Sequence, residues 1–159
     1  MKRILPLLLG AGLLASCGPH TVTNPSAPDL SSDTTRAAPA TLNIGSPLRG
    51  VIAGQDRDYD YYSFAASAGD KLKITVTAPE GSTLDPYIRL YRAGDWYEVA
   101  RDDDNQYAPG LHTRNAEIRF NAVESGTYVL EVTSFKLANN PDAKDNDPKN
   151  TYAVQLERR

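Results

Sequence analysis

Hydrophobic and polar positions alternate along most of the chain from Tyr61 onward. In "KLKITVTA" (71–78), Leu72, Ile74, Val76 and Ala78 share one face while Lys71, Lys73, Thr75 and Thr77 share the other. A period of two places successive side chains on opposite faces of a β-strand. "YYSFAA" sets Tyr62, Phe64 and Ala66 together, and "YIRLYR" sets Ile88 and Leu90 against Tyr87, Arg89 and Tyr91. "AEIRFNA" groups Ile118, Phe120 and Ala122, "TYVLEVTSF" groups Tyr128, Leu130 and Val132, and "TYAVQLE" groups Tyr152, Val154 and Leu156. β-Branched and aromatic residues dominate these runs, as suits a pleated, half-buried surface. Turn signals separate them: "SAGD" at 67–70, "PEGS" at 79–82, "RAGD" at 92–95 and "ESG" at 124–126. With two further short strands predicted over 42–45 and 49–53, the count is eight or nine. No stretch carries the period of an amphipathic helix. The pattern predicts an all-β fold, an antiparallel β-sandwich over 42–159, with a closed barrel as the alternative.

The first residues follow a different rule. Lys2 and Arg3 form a basic start, and Ile4 to Ala15 form an apolar run too short for a spanning helix, which needs about 20 residues. The run ends in Leu14-Ala15-Ser16-Cys17, which resembles the bacterial lipobox: a branched residue, two small ones and the cysteine that receives lipid. Residues 1–16 are therefore expected to be a lipoprotein signal peptide, and Cys17 the lipidated first residue after cleavage. The alternative is ordinary secretory cleavage after Ser16. Cys17 is the only cysteine, so no intrachain disulfide can form. Acyl chains contribute about 0.8 kcal/mol per buried CH2, and two or more hold a protein on a membrane. Gly18, rather than an aspartate, follows the cysteine, which favours the outer membrane or cell surface over the inner membrane. Residues 17–41 are rich in Pro, Ser, Thr and Ala and hold no aromatic residue, the composition of a flexible tether.

Charge narrows the partners. The formal net charge is −3, and loss of Lys2 and Arg3 with the signal peptide makes the remainder more acidic. That argues against nucleic acid as the main partner, because phosphates require a basic patch. Catalysis is a poor fit. The two histidines are His20, in the tether, and His112, in the loop "PGLHTR". No second histidine or cysteine accompanies His112 in a triad or zinc arrangement, no Gly-rich phosphate loop follows a strand, and no obvious cleft suits paired glycosidase carboxylates.

Two acidic groups invite a cation. The first is Asp56, Asp58 and Asp60, whose spacing starts like an EF-hand loop but lacks its glycine and distal glutamate. The second is "ARDDDNQY" (100–107). If 87–92 and 96–101 form a hairpin, Tyr91 opposite Trp96 brings Asp85 to face Asp102, and Ala93 opposite Trp96 brings it to face Asp104. Asp85, Asp102, Asp103 and Asp104, with Asp58 and Asp60, are the candidate calcium ligands, since calcium takes about six to eight oxygens. The competing reading is a solvated turn in which Asp102 to Asn105 cap backbone amides. No cofactor is required by either.

Nine tyrosines supply a last candidate. Tyr62, Tyr128 and Tyr152 fall on apolar faces and are expected in the core. Tyr87, Tyr91, Trp96 and Tyr97 are candidate ligand-binding residues, with ordinary packing at a sandwich rim as the alternative.

The order of these motifs resembles the bacterial pre-peptidase C-terminal domain. "DYDYYSFAASAGDKLKITV" (58–76), "LDPYIRLY" (84–91), a Gly turn, "EVARDDDN" (98–105) and "IRFNAVESGTYVLEV" (118–132) follow the family's sequence of acidic residues, alternating strand, Leu-Asp-Pro, hairpin, Asp-Asp and Ser-Gly-Thr-Tyr. The resemblance implies a jelly-roll-like sandwich related to collagen-binding domains of collagenases. It implies a non-catalytic module, usually appended to secreted proteases, that aids secretion, localisation or substrate binding, with calcium bound in several relatives. No protease domain is expected beside it here, and the polar stretch "KLANNPDAKDNDPKN" (136–150) exceeds a tight hairpin, its "DND" reading as solvated loop rather than ligand. The expected function is an envelope-anchored binding module for a protein or matrix partner. The alternatives are a carbohydrate-binding module using the exposed aromatics, and a structural envelope lipoprotein.

Overall fold

The computed structural model describes residues 34–53, 56–105, 107 and 114–159. Cys17, His20, the signal segment and most of the expected tether lie outside the described residues, as does His112. Nine strands are present among the described residues: β1 (Ala40–Thr41), β2 (Leu48–Val51), β3 (Asp60–Ala66), β4 (Lys71–Thr77), β5 (Pro86–Arg92), β6 (Tyr97–Asp102), β7 (Ala116–Asn121), β8 (Gly126–Ser134) and β9 (Thr151–Arg158). They form two sheets, ordered β1-β3-β8-β5-β6 and β2-β9-β4-β7. Strands β2 to β9 interleave as 2-9-4-7 against 3-8-5-6, the jelly-roll order of two Greek keys. The fold is thus the expected all-β, antiparallel-rich sandwich.

The residues that alternate in sequence meet between the sheets. Leu72, Ile74, Val76, Ile88, Leu90, Leu130, Val132, Val154 and Leu156 are all buried. Phe64, Phe120 and Tyr128 close one end of the core, with ring centroids 5.2 to 6.1 Å apart. Tyr62 and Tyr152 meet edge to face across the sandwich at 6.4 Å.

The first strands lie earlier than expected. Leu42 is buried and donates its N–H to Ser63 O at 2.8 Å, so the chain before it already runs along β3. β1 pairs parallel with β3, the one parallel strand pair among the described residues. Ile44 then bridges Leu156, and Gly45, in the left-handed region at φ 76°, turns the chain from one sheet to the other. The domain start expected at 42 is accordingly too late. Thr34 donates its N–H and hydroxyl to Asp60 and accepts from Tyr61 N at 2.6 Å. Residues 34–41 belong to the folded body.

The polar stretch after β8 is partly structured, with Asn146 and Asp147 exposed. It opens with a short helix, α1 (Phe135–Asn139), whose N-cap hydroxyl of Ser134 accepts from Leu137 N. Leu137 and Ala143 are buried, and Arg57 donates to the carbonyls of Leu137, Asn140, Pro141 and Ala143 at 2.9 to 3.1 Å. Buried Asn150 ties the far end to Ile52 O, Asp145 and Thr83.

Candidate functional site

The acidic turn is set by the β5–β6 hairpin. Arg92 pairs with Tyr97 and Tyr91 with Glu98, but the register then shifts, so that Leu90 faces Ala100 and Ile88 faces Asp102. A bulge inserts one residue into one strand and rotates the residues beyond it. The ladder with β6 ends at Ile88, so Asp85 faces neither Asp102 nor Asp104, contrary to both registers expected from sequence. Asp85 does lie near the run. Burial raises its pKa, Arg114 opposes the shift, and Asp104 and Asp103 add to it.

Asp102 accepts from Glu117 N at 2.7 Å, which ties the edge strand β6 to the edge strand β7 of the other sheet. Burial pushes its pKa up, the Glu117 amide restrains it, and Asp103 and Asp104 push it further. Asn105 accepts from Tyr107 N at 2.9 Å and donates to Glu117 Oε2 at 3.1 Å. This is the amide-capping arrangement of an Asx turn. Among the described residues, no three carboxylate, histidine or cysteine groups are clustered to hold a metal ion.

The other acidic pair is distant. Asp60 faces Val132, Val132 faces Ile88, and Ile88 faces Asp102, so three strand spacings, about 14 Å, separate the two aspartates. One ion cannot bridge them. Asp58 and Asp60 are both buried. Asp58 accepts from Ala53 N at 2.8 Å, and Asp60 accepts from Tyr152 Oη at 2.5 Å. Because the Tyr152 proton goes to Asp60, Tyr62 donates to Tyr152 across 2.7 Å. Burial, foremost, holds both phenols well above their ordinary pKa. The chain Tyr62–Tyr152–Asp60 joins the two sheets through the core.

The outer face of the five-stranded sheet carries a different chemistry. In-register pairing lines up Tyr61, Glu131, Arg89 and Arg101 across β3, β8, β5 and β6. Glu131, 7% exposed, accepts from Tyr61 Oη at 3.1 Å and Arg89 Nη1 at 2.7 Å. Arg101 reaches Glu98 at 2.8 Å. Burial and then the Glu131 charge raise the Tyr61 pKa. The alternation in β5 foretold that Tyr87, Arg89 and Tyr91 share this face, but not that Glu131 would lie under them.

Of the four candidate aromatics, three are here. Tyr87 is only 8% exposed, with the Arg89 guanidinium 4.8 Å from its ring centre. Tyr91 and Trp96 form a corner, centroids 5.9 Å apart at 62°. Trp96 is the only non-glycine residue with positive φ among the described residues, at 55°. That conformation costs about 1–2 kcal/mol for an L-residue and swings the indole back over the sheet. Arg36 sits in the corner, 3.6 Å from the Trp96 centroid and 5.7 Å from that of Tyr91. Such contacts are worth roughly 0.5–2 kcal/mol. Sequence reading missed Arg36 because it lies in a stretch with tether composition. Tyr97 is elsewhere, 64% exposed, in a groove between the sheet edges with Val99, Phe120 and Val123.

Residues 58–134 match the family model of the bacterial pre-peptidase C-terminal domain. These residues are a pre-peptidase C-terminal domain. The pre-peptidase C-terminal domain is a non-catalytic module found in proteases. In this chain β2 and β9, which lie outside the matched span, complete its second sheet. A probable subtilase-type serine protease of Deinococcus radiodurans is 32% identical over 115 residues, covering 67% of this chain and 15% of that protein. The chain thus spans a small part of that relative's length. The solved pre-peptidase C-terminal domain of a Bacillus anthracis collagenase shares the fold, with a TM-score of 0.51 at 20% identity, covering 74% of this chain and 93% of that one.

Proposed function

We propose that the chain is an envelope-anchored, non-catalytic module that binds a protein partner through the outer face of its five-stranded sheet. The observation that carries this is the fixed row of Tyr61, Glu131, Arg89 and Arg101 with Tyr91 and Trp96 beside it. Tyr, Trp and Arg are enriched where proteins meet, and side chains locked on regular strands lose little entropy on binding. The glycan alternative needs a flat, exposed aromatic row. Tyr87 is buried, Tyr91 and Trp96 stand at an angle under Arg36, and Tyr97 lies off the face. The acidic turn is read as a capped turn, since the Asp102 carboxylate already serves the Glu117 amide.

Anchoring rests on the lipobox-like run ending at Cys17, and Gly18 after it favours the outer membrane or cell surface. Among the described residues no helix is long and apolar enough to cross a membrane. Cys17→Ala is expected to move the protein from the membrane to the soluble fraction; retention on the membrane would overturn the anchor. The partner class is tested by incubating the purified protein with envelopes treated with protease or with a muramidase. Protein binding predicts that protease alone abolishes retention. Loss with muramidase and survival of protease would move the reading to glycan.

A further inference from the structure

We propose that the corner between Tyr91 and Trp96 is a docking site for an arginine side chain of a protein partner, which Arg36 of this chain fills in cis. The Arg36 guanidinium stands in for the partner's. It lies 3.6 Å from the indole centroid while the tyrosine ring bounds it at 5.7 Å. A guanidinium is planar and weakly hydrated, so it stacks flat on an aromatic face, where a compact, strongly hydrated ammonium is held more weakly. Among the described residues no carboxylate stands within ion-pair distance of Arg36. The rings therefore hold it, and they would hold another guanidinium equally.

The corner is built rather than incidental. Trp96 takes its left-handed backbone at the end of a turn closed by Trp96 N donating to Arg92 O at 2.9 Å. Arg92 is fixed in turn by Asp95 and Glu124. Burial raises the Tyr91 pKa, and Glu131 and Glu98 add to the shift against the opposing charge and hydrogen bond of Arg89.

The segment is also arranged for exchange. Thr34 is bonded to Asp60 and Tyr61, and Ala40–Thr41 pairs with β3, on either side of Arg36. Thr35 and Ala38 bridge each other between these fixed points. Arg36 is exposed and can swing out without unpairing β1. A partner's arginine then replaces it, at the cost of competing with an occupant tethered at high local concentration. The inference rests on the protein-binding reading above and names the partner group that reading left open.

Trp96 is the only tryptophan in the chain, so its fluorescence reports the corner directly. The test titrates the full-length protein and its Arg36→Ala variant with arginine amide, using lysine amide at equal ionic strength as the control. Arg36→Ala is expected to show a shifted emission and a saturable response to arginine amide that lysine amide does not reproduce. The unsubstituted protein should need about tenfold more arginine amide for the same response. Adding Tyr91→Ala to the variant should abolish saturation while the far-ultraviolet circular dichroism stays that of a β-sandwich. Identical emission with and without Arg36, or equal responses to the two amides, would overturn the site. No envelope component enters this titration, so its failure overturns the arginine site alone; the protease experiment overturns the reading beneath it.

Discussion

Tyr152 is held by both sheets. Its hydroxyl donates to Asp60 and accepts from Tyr62, and its ring lies against the backbone of Gly50. A Cβ at position 50 would come within 2.4 Å of the phenol, so only glycine leaves room for it. Tyr152→Phe keeps the packing and removes the hydroxyl between Tyr62 and Asp60. It is expected to cost about 1–3 kcal/mol in chemical denaturation; a change under about 0.5 kcal/mol would show that the network does not stabilise the fold. Asp102 makes the opposite prediction. Burial raises its folded pKa, so its charge weakens the fold as pH rises through that value. Asp102→Asn retains an oxygen for the Glu117 amide and loses the charge. Its melting temperature at pH 7 should equal or exceed that of the parent, with no calcium-dependent difference. A drop that appears only with calcium present, and vanishes in EDTA, would restore the ion-site reading. Asp95 behaves in the usual carboxylate sense: Arg92, then the Tyr97 amide, lower its pKa to about 2. The stability it supplies is present above the ordinary value of 3.8 and lost as pH falls through about 2. The melting curves of the parent and Asp95→Asn should stay separated down to about pH 4 and converge near pH 2. Parallel curves across that window would refute the assignment.

At the scale of elements, two features decide what the site looks like. The first is the bulge in the β5–β6 hairpin. It moves every residue beyond it by one, so that Asp102 turns inward toward β7, and the ladder stops at Ile88, short of Asp85. The second is the docking of α1 and the stretch after it. Arg57 is its keystone, with four backbone carbonyls and Tyr59 Oη around one guanidinium. Arg57→Ala should cost about 3 kcal/mol, because those carbonyls lose a charged donor together. Arg57→Lys should recover only part of it, since an ammonium lacks the planar fork. Hydrogen exchange should quicken first in residues 137–150. Unchanged exchange there in Arg57→Ala would show that the stretch is held by other contacts.

At the scale of the whole molecule, the sequence by itself determined an all-β fold and the inward face of its strands, while the two-sheet order decided sandwich over closed barrel. Strict alternation in six runs fixed which side chains face inward, because a one-residue slip would expose every one of them. Those residues make up most of the observed core, which Leu42, Ile52, Leu84 and Leu137 complete from outside the runs, and the order of motifs named the family as well. Tyr62, Tyr128 and Tyr152 were legible as core for the same reason. Periodicity did not carry the β5–β6 register, since a bulge is a local backbone event that leaves the residue pattern on either side intact. Nor did composition show that residues 34–41 belong to the folded body. Thr34, Arg36 and Ala40 look like linker, and their contacts with Asp60, Trp96 and Tyr62 exist only once β3 and β5 lie in one sheet. The Tyr61–Glu131–Arg89 row has the same origin: three residues far apart in sequence become neighbours because β8 lies between β3 and β5. Local pattern sets which face a residue takes. Which residues share that face across strands is set by topology and register, and there the tertiary structure alone decided the surface proposed for function.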